Sequence, residues 1–175
     1  MTEQSKWFER TFDFTNPPGV FPCILERLRG TPARLEEMVR AFPPEILAVK
    51  IEGTWSIQEH AGHLFDLDAL HDARIDDFLS GAALLRPADL QNRKTNEAGH
   101  NGKPIESILL SFRAARGNFV GRLEALEESV LTRTAIHPRL QKPMRVIDMA
   151  LFVAEHDDHH AARMRHLARI LKAGL

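Results

Sequence analysis

Apolar residues recur at three- and four-residue intervals over four long stretches of this sequence, and that spacing is the signature of helices with one buried face. The first stretch, from Val20 to about Phe42, carries Leu25, Leu28, Leu35, Met38 and Val39. It follows a breaker cluster, Asn16-Pro17-Pro18-Gly19, that sets off an N-terminal arm of residues 1–19. Gly30-Thr31-Pro32 predicts a kink or a restart within it. Ser56-Ile57-Gln58-Glu59 reads as a capping box opening a second helix to about Ser80, where Gly81 stops it. Pro104 is expected to open a third helix to about Glu128, and Pro143 a fourth to about Lys172. No stretch alternates apolar and polar residues long enough to require a sheet. The polar segment 82–103, with Asp89, Asn92, Arg93, Asn96 and His100, is long for a connection and reads as a functional loop. The pattern predicts an all-α, four-helix-bundle domain spanning residues 1–175.

Charge and composition narrow the partners. Lys and Arg number 23 against 24 Asp and Glu, without a block of one sign, which argues against nucleic-acid binding. No apolar run approaches the roughly 18 residues that span a bilayer, and the N terminus lacks a signal-peptide core, so neither a membrane partner nor secretion is expected. Cys23, the sole cysteine, excludes a disulfide framework and fits a cytoplasmic setting. On the apolar side of the first helix it reads as a small core residue. Neither Gly-x-Ser-x-Gly, a phosphate-cradling glycine loop nor His-Glu-x-x-His is present.

The chain has nine histidines, and three fall within five positions. On the fourth helix His156 and His160 lie near the centre of the stripe of Met149, Phe152, Val153, Met164 and Leu167. Residues four apart stack on one face. Two buried imidazoles would repel if charged and would need several polar partners if neutral, whereas one shared cation meets both demands. His159 falls at the edge of the stripe and His166 on the outer face. A stable site takes a third ligand. The second helix offers His60, His63 and His71, and periodicity alone favours His60 without settling the choice.

The segment Thr54-Trp55-Ser56-Ile57-Gln58-Glu59-His60-Ala61-Gly62-His63-Leu64, taken with Glu155-His156-Asp157-Asp158-His159-His160, resembles the DinB/YfiT-like metalloenzyme superfamily. The Phe12-Asp13-Phe14 arm and the Asn92-Arg93 loop extend the likeness along most of the chain. In that superfamily the metal-binding histidine follows the Trp by eight residues, which implies His63, and a His-x-x-x-His pair on the last helix implies His156 and His160. The resemblance further implies an up-down-down-up bundle, a homodimer, and activities ranging from thiol-dependent isomerases and transferases to metal-dependent hydrolysis.

Three neutral imidazoles leave a divalent ion, zinc or nickel by ligand preference, with an open coordination position. Asp68 and Asp157 are placed to accept ligand ring N–H groups. Asn92, Arg93 and Asn96 are candidates for a pocket rim that recognises a carboxylate-bearing cofactor. The expected function is a metal-dependent transferase or hydrolase acting on a small molecule, possessing a low-molecular-weight thiol cofactor in the transferase case. The alternative is a stress-related bundle that binds metal or small molecules without turnover.

Overall fold

The computed structural model describes residues 4–51 and 53–173 of the expected 1–175 domain; Met1–Glu3, Glu52, Gly174 and Leu175 lie outside the described residues. Its elements are α1 (Phe21–Arg40), α2 (Ile57–Leu79), α3 (Arg93–Glu97), α4 (Ile105–Glu124), α5 (Glu128–Leu131), β1 (Thr134–His137), β2 (Lys142–Arg145) and α6 (Val146–Ala173). The capping box forms as read: the Glu59 amide donates to Ser56 Oγ at 3.0 Å and the Ser56 amide to Glu59 Oε2 at 2.8 Å. At the far end Gly81 takes a φ of 71°, a left-handed conformation that costs glycine little.

The direction of each long helix can be read from the core. One apolar layer joins Leu35, Met38 and Val39 at the end of α1 to Ile57, Ala61 and Leu64 at the start of α2. The same layer takes Ile108 and Phe112 from the start of α4 and Met164 and Leu167 from the end of α6. The second layer joins the start of α1 (Phe21, Leu25, Leu28), the ends of α2 (Ile75, Phe78) and α4 (Phe119, Leu123), and the start of α6 (Val146, Met149, Val153). The order is therefore up, down, down, up. Helices α4 and α6 each pack against both α1 and α2, which puts α1 and α2 on one diagonal. Among the described residues no helix is long and apolar enough to cross a membrane.

Five sequence expectations need correction. Helix α1 runs through Gly30-Thr31-Pro32 without restarting, because Thr31 and Pro32 are buried in the packing and the Thr31 hydroxyl donates to the Arg27 carbonyl at 3.1 Å. Strands exist: β1 and β2 form an antiparallel hairpin, too short for periodicity to reveal. Pro143 lies in β2 opposite Ile136, and α6 begins only at Val146. Proline is tolerated there because β2 is an edge strand, while β1 bonds onward to the 83–85 segment. Helix α4 ends at Glu124 rather than near Glu128. Finally, Cys23 is exposed, since Ile24, Leu25 and Leu28 take the inward positions of that turn.

Between the two apolar layers sits a buried ionic cluster. Arg116 of α4 donates through Nε to Asp68 Oδ2 at 3.0 Å and through Nη2 to Asp68 Oδ1 at 2.8 Å, and it also bonds both oxygens of Asp157 on α6. All three side chains are 1% exposed. Burial opposes the charge on Arg116, yet the two carboxylates outweigh it and hold its pKa above the ordinary arginine value. Burial pushes the Asp68 carboxyl up to about 6 against the pull of Arg116. Replacing Arg116 with Met strands two carboxylates, and chemical denaturation should show a loss of about 3–5 kcal/mol. Adding Asp68→Asn and Asp157→Asn to that variant should recover part of the loss; no recovery would mean that Arg116 acts through packing alone.

Candidate metal centre

His63 on α2 and His156 and His160 on α6 come together in the bundle interior, with one ring nitrogen from each lying within 4.8 Å of the others. All three are buried. His156 Nε2 and His160 Nε2 are 3.0 Å apart. Two metal–nitrogen bonds of ~2.1 Å meeting near a right angle span about that distance. The cluster thus has the reach of a ligand set for one ion.

The groups behind His63 fix its tautomer. The Thr95 hydroxyl has one proton, and it donates to Asp66 Oδ2 at 2.9 Å. Thr95 must then accept from His63 Nδ1, 3.1 Å away, which leaves His63 Nε2 with a free lone pair. Asp66 Oδ2 also accepts from His100 Nε2 at 2.8 Å. His160 Nδ1 lies 2.8 Å from His60 Nδ1. His60, the residue favoured by periodicity, therefore stands behind a member of the cluster. Trp55 packs on His63 at a centroid distance of 4.6 Å and is held by its indole N–H donating to Asn96 Oδ1 at 2.9 Å. Trp7, from the N-terminal arm, meets His156 edge-on at 5.0 Å.

Burial keeps these imidazoles neutral. It lowers the pKa of His60 to about 3 and of His63 to about 4, with His63's charge adding to the effect on His60. It also drives His71, His156 and His160 well below the ordinary histidine value. Neutral imidazole is the ligating form.

Other residues singled out from sequence fall differently. Asp68 and Asp157 bond Arg116 instead of ligand rings. Arg93 pairs with Asp89 and Asn96 with Trp55, so of the loop trio Asn92 alone lines the cavity described below. His159 is half-buried and binds the arm, accepting from Gln4 Nε2 at its carbonyl at 2.9 Å. His166 is exposed at the cavity mouth. Sequence reasoning missed Thr95, Trp7 and Asp66. Only Asp66, three residues beyond His63 on the same helical face, carried a readable signal.

The cluster forms part of the wall of a cavity of about 1320 Å³ lined also by Trp7, Trp55, Leu67 and Phe152. An up-down-down-up helical bundle with buried neutral histidines open to such a cavity defines a class of protein with one potential ion site and room for a small molecule. The chain belongs to the DinB superfamily, whose family model matches residues 27–164. Among solved structures it is similar to YfiT from Bacillus subtilis, described as a probable metal-dependent hydrolase with an unusual four-helix bundle topology. That likeness has a TM-score of 0.78 and 20% identity over 94% of each chain, and it shows the fold. No curated protein matches the sequence.

Acid should unfold the metal-free protein in a defined window. The unfolded chain takes up protons on these histidines below about 6.5, whereas folded His63 does so only near 4. A lowered folded-state pKa means that stability is complete above the unfolded value and is lost as pH falls between the two. Asp68, raised to about 6, works in the opposite sense over its own range but is one group against several. Denaturation midpoints should fall steadily from pH 6.5 to 4; a flat profile would show that the histidines are already protonated in the fold.

Proposed function

We propose that the protein holds one divalent cation, zinc or nickel, through His63, His156 and His160, and acts as a metal-dependent hydrolase of a small molecule. The observation that carries this reading is the convergence of three buried neutral imidazoles at the wall of a cavity, one with its lone pair aimed by Thr95. What YfiT is described as binding and doing supports it. Bound there, a divalent ion supplies Lewis acidity to water or to a substrate oxygen.

The chain's own residues do the rest. Asp66 and Thr95 hold the His63 ring in its ligating tautomer, as groups behind metal-bound histidines commonly do. Trp7 and Trp55 flank the cluster and keep bulk water from its sides. Buried His71 also lines the cavity, and burial keeps its imidazole neutral there. The superfamily resemblance extends the proposal to a homodimer, whose interface would cover exposed apolar residues such as Leu110 of α4, 68% exposed. Light scattering that gives a mass of 19.8 kDa at micromolar concentration would refute the dimer.

Elemental analysis of untagged protein should find about one divalent ion per chain. His156→Ala or His160→Ala should remove most of it, and His159→Ala little. Thr95→Val should weaken metal affinity by about 10–100-fold while the bundle stays folded. His63→Ala should abolish turnover of electrophilic substrates without unfolding the chain. Turnover that requires an added low-molecular-weight thiol would make the enzyme a transferase. A fourth protein ligand closing the coordination sphere would leave a structural site and favour a non-catalytic, small-molecule-binding bundle.

A further inference from the structure

The cavity has a second chemical end. Arg139, in the turn between β1 and β2, lies with its guanidinium 5.2 Å from the ring centre of Phe8 and 5.7 Å from that of Phe152. Its Nη2 is buried without a hydrogen-bond partner among the described residues. Arg74 of α2 is 2% exposed, and its Nε and Nη2 both donate to the Arg86 carbonyl at 3.1 and 3.0 Å. Neither arginine bonds a carboxylate among the described residues. The nearest acid to Arg74, Asp77, is taken by the Arg86 side chain and amide. Between the two arginines His137 is kept neutral, first by burial and then by their charges.

The same imbalance continues on the cavity wall. Among the described residues that line it, Arg163 adds a third cation beside Arg74 and Arg139, Lys6 is paired with Glu9 at 3.2 Å, and the acid, Asp89, is bonded to Arg93. The chain's net charge is only -1, so this is local segregation of charge rather than a basic protein. Elsewhere the fold pairs its buried arginine fully, as Arg116 shows. Burying guanidinium groups without an anion is costly, and a bound anion removes that cost through charge-assisted, often bidentate hydrogen bonds.

We propose that Arg139 and Arg74 form a seat for an organic anion, a carboxylate or a phosphate monoester, whose apolar body lies along Leu67, Leu70 and Phe152 toward the histidine cluster. The proposal rests on the reading of that cluster as the reacting end, and it supplies the substrate class. Geometry sets the ligand's length. Phe152 precedes His156 by one helical turn, about 6 Å along the axis, so an anion at Arg139 and a reacting group at the histidines are on the order of 10 Å apart. That separation selects a ligand with an anionic head and a short apolar or aromatic body.

Calorimetric titration with 3-phenylpropanoate, phenyl phosphate and the neutral 3-phenylpropanamide tests it. One or both anions should bind at least about tenfold more tightly than the amide. The stronger of the two identifies the head group as carboxylate or phosphate. Arg139→Gln, at a half-exposed turn position, should abolish the preference while metal content and melting temperature stay unchanged. The preference should also survive removal of metal by a chelator. Equal binding of amide and anions, or binding of neither anion at millimolar concentration, overturns the seat. So does an anion preference that persists in Arg139→Gln and vanishes with the metal, because the anion would then sit on the ion itself. An Arg139-dependent preference in protein that never takes up metal would sustain the seat and refute the metal reading, so the two fail separately.

Discussion

The contact of Arg116 with Asp68 and Asp157 is the constraint on which the geometry of the site depends. It ties α2, α4 and α6 together at one level, each through a side chain that has no access to water. Such a cluster adds little net stability, since desolvating three charges offsets most of their attraction. Its effect is on register. Rotating α6 by one residue would carry Asp157 away from Arg116 and leave a buried carboxylate unpaired. Asp157 is the neighbour of His156 in sequence, and Asp68 lies five positions beyond His63 on α2. The rotation that satisfies Arg116 is thus the one that turns His156 and His160 toward His63.

The parts legible in the sequence were those specified locally. The capping box at Ser56 is a four-residue signal, and the His156–His160 pair is a one-turn signal. Choosing His63 over His60 was beyond periodicity, because both are buried on α2 and differ only in which side of α6 they meet. His60 reaches the Nδ1 side of His160, and His63 the side on which His156 lies. The hairpin was illegible because its strands are four residues long and β2 contains Pro143, which favours a turn or a helix start in isolation and is tolerated here because β2 is an edge strand. Arg116 was missed for a related reason. Its partners are 48 and 41 residues distant, and nothing within α4 marks it as an inward cation.

The electrostatics divide the cavity into two regions of different character. Near the cluster, burial strips the histidines of their protons and leaves lone pairs. Near the hairpin, burial lowers the pKa of Arg74 only to about 10, so the guanidinium keeps its charge at neutral pH. One desolvating environment therefore yields neutral imidazoles at one end and fixed cations at the other, because the intrinsic pKa values of imidazole and guanidinium differ by several units.

Gly62 shows how the segment 82–103 is joined to the histidines. A Cβ at this position would lie 2.3 Å from Cδ2 of His100, so the imidazole of His100 occupies space that any other residue on α2 would claim. Glycine in a helix interior costs about 0.5–1 kcal/mol relative to alanine. Here that cost lets the ring press against the α2 backbone, where His100 Nε2 donates to Asp66 Oδ2. The same oxygen accepts from Thr95, and Thr95 in turn accepts from His63. The missing side chain of Gly62 and the tautomer of its neighbour His63 are linked through two residues of a segment without helical periodicity. That coupling explains why a long, polar connection is ordered against the bundle: its contribution is to orient one imidazole from behind, while the helices alone determine where that imidazole stands.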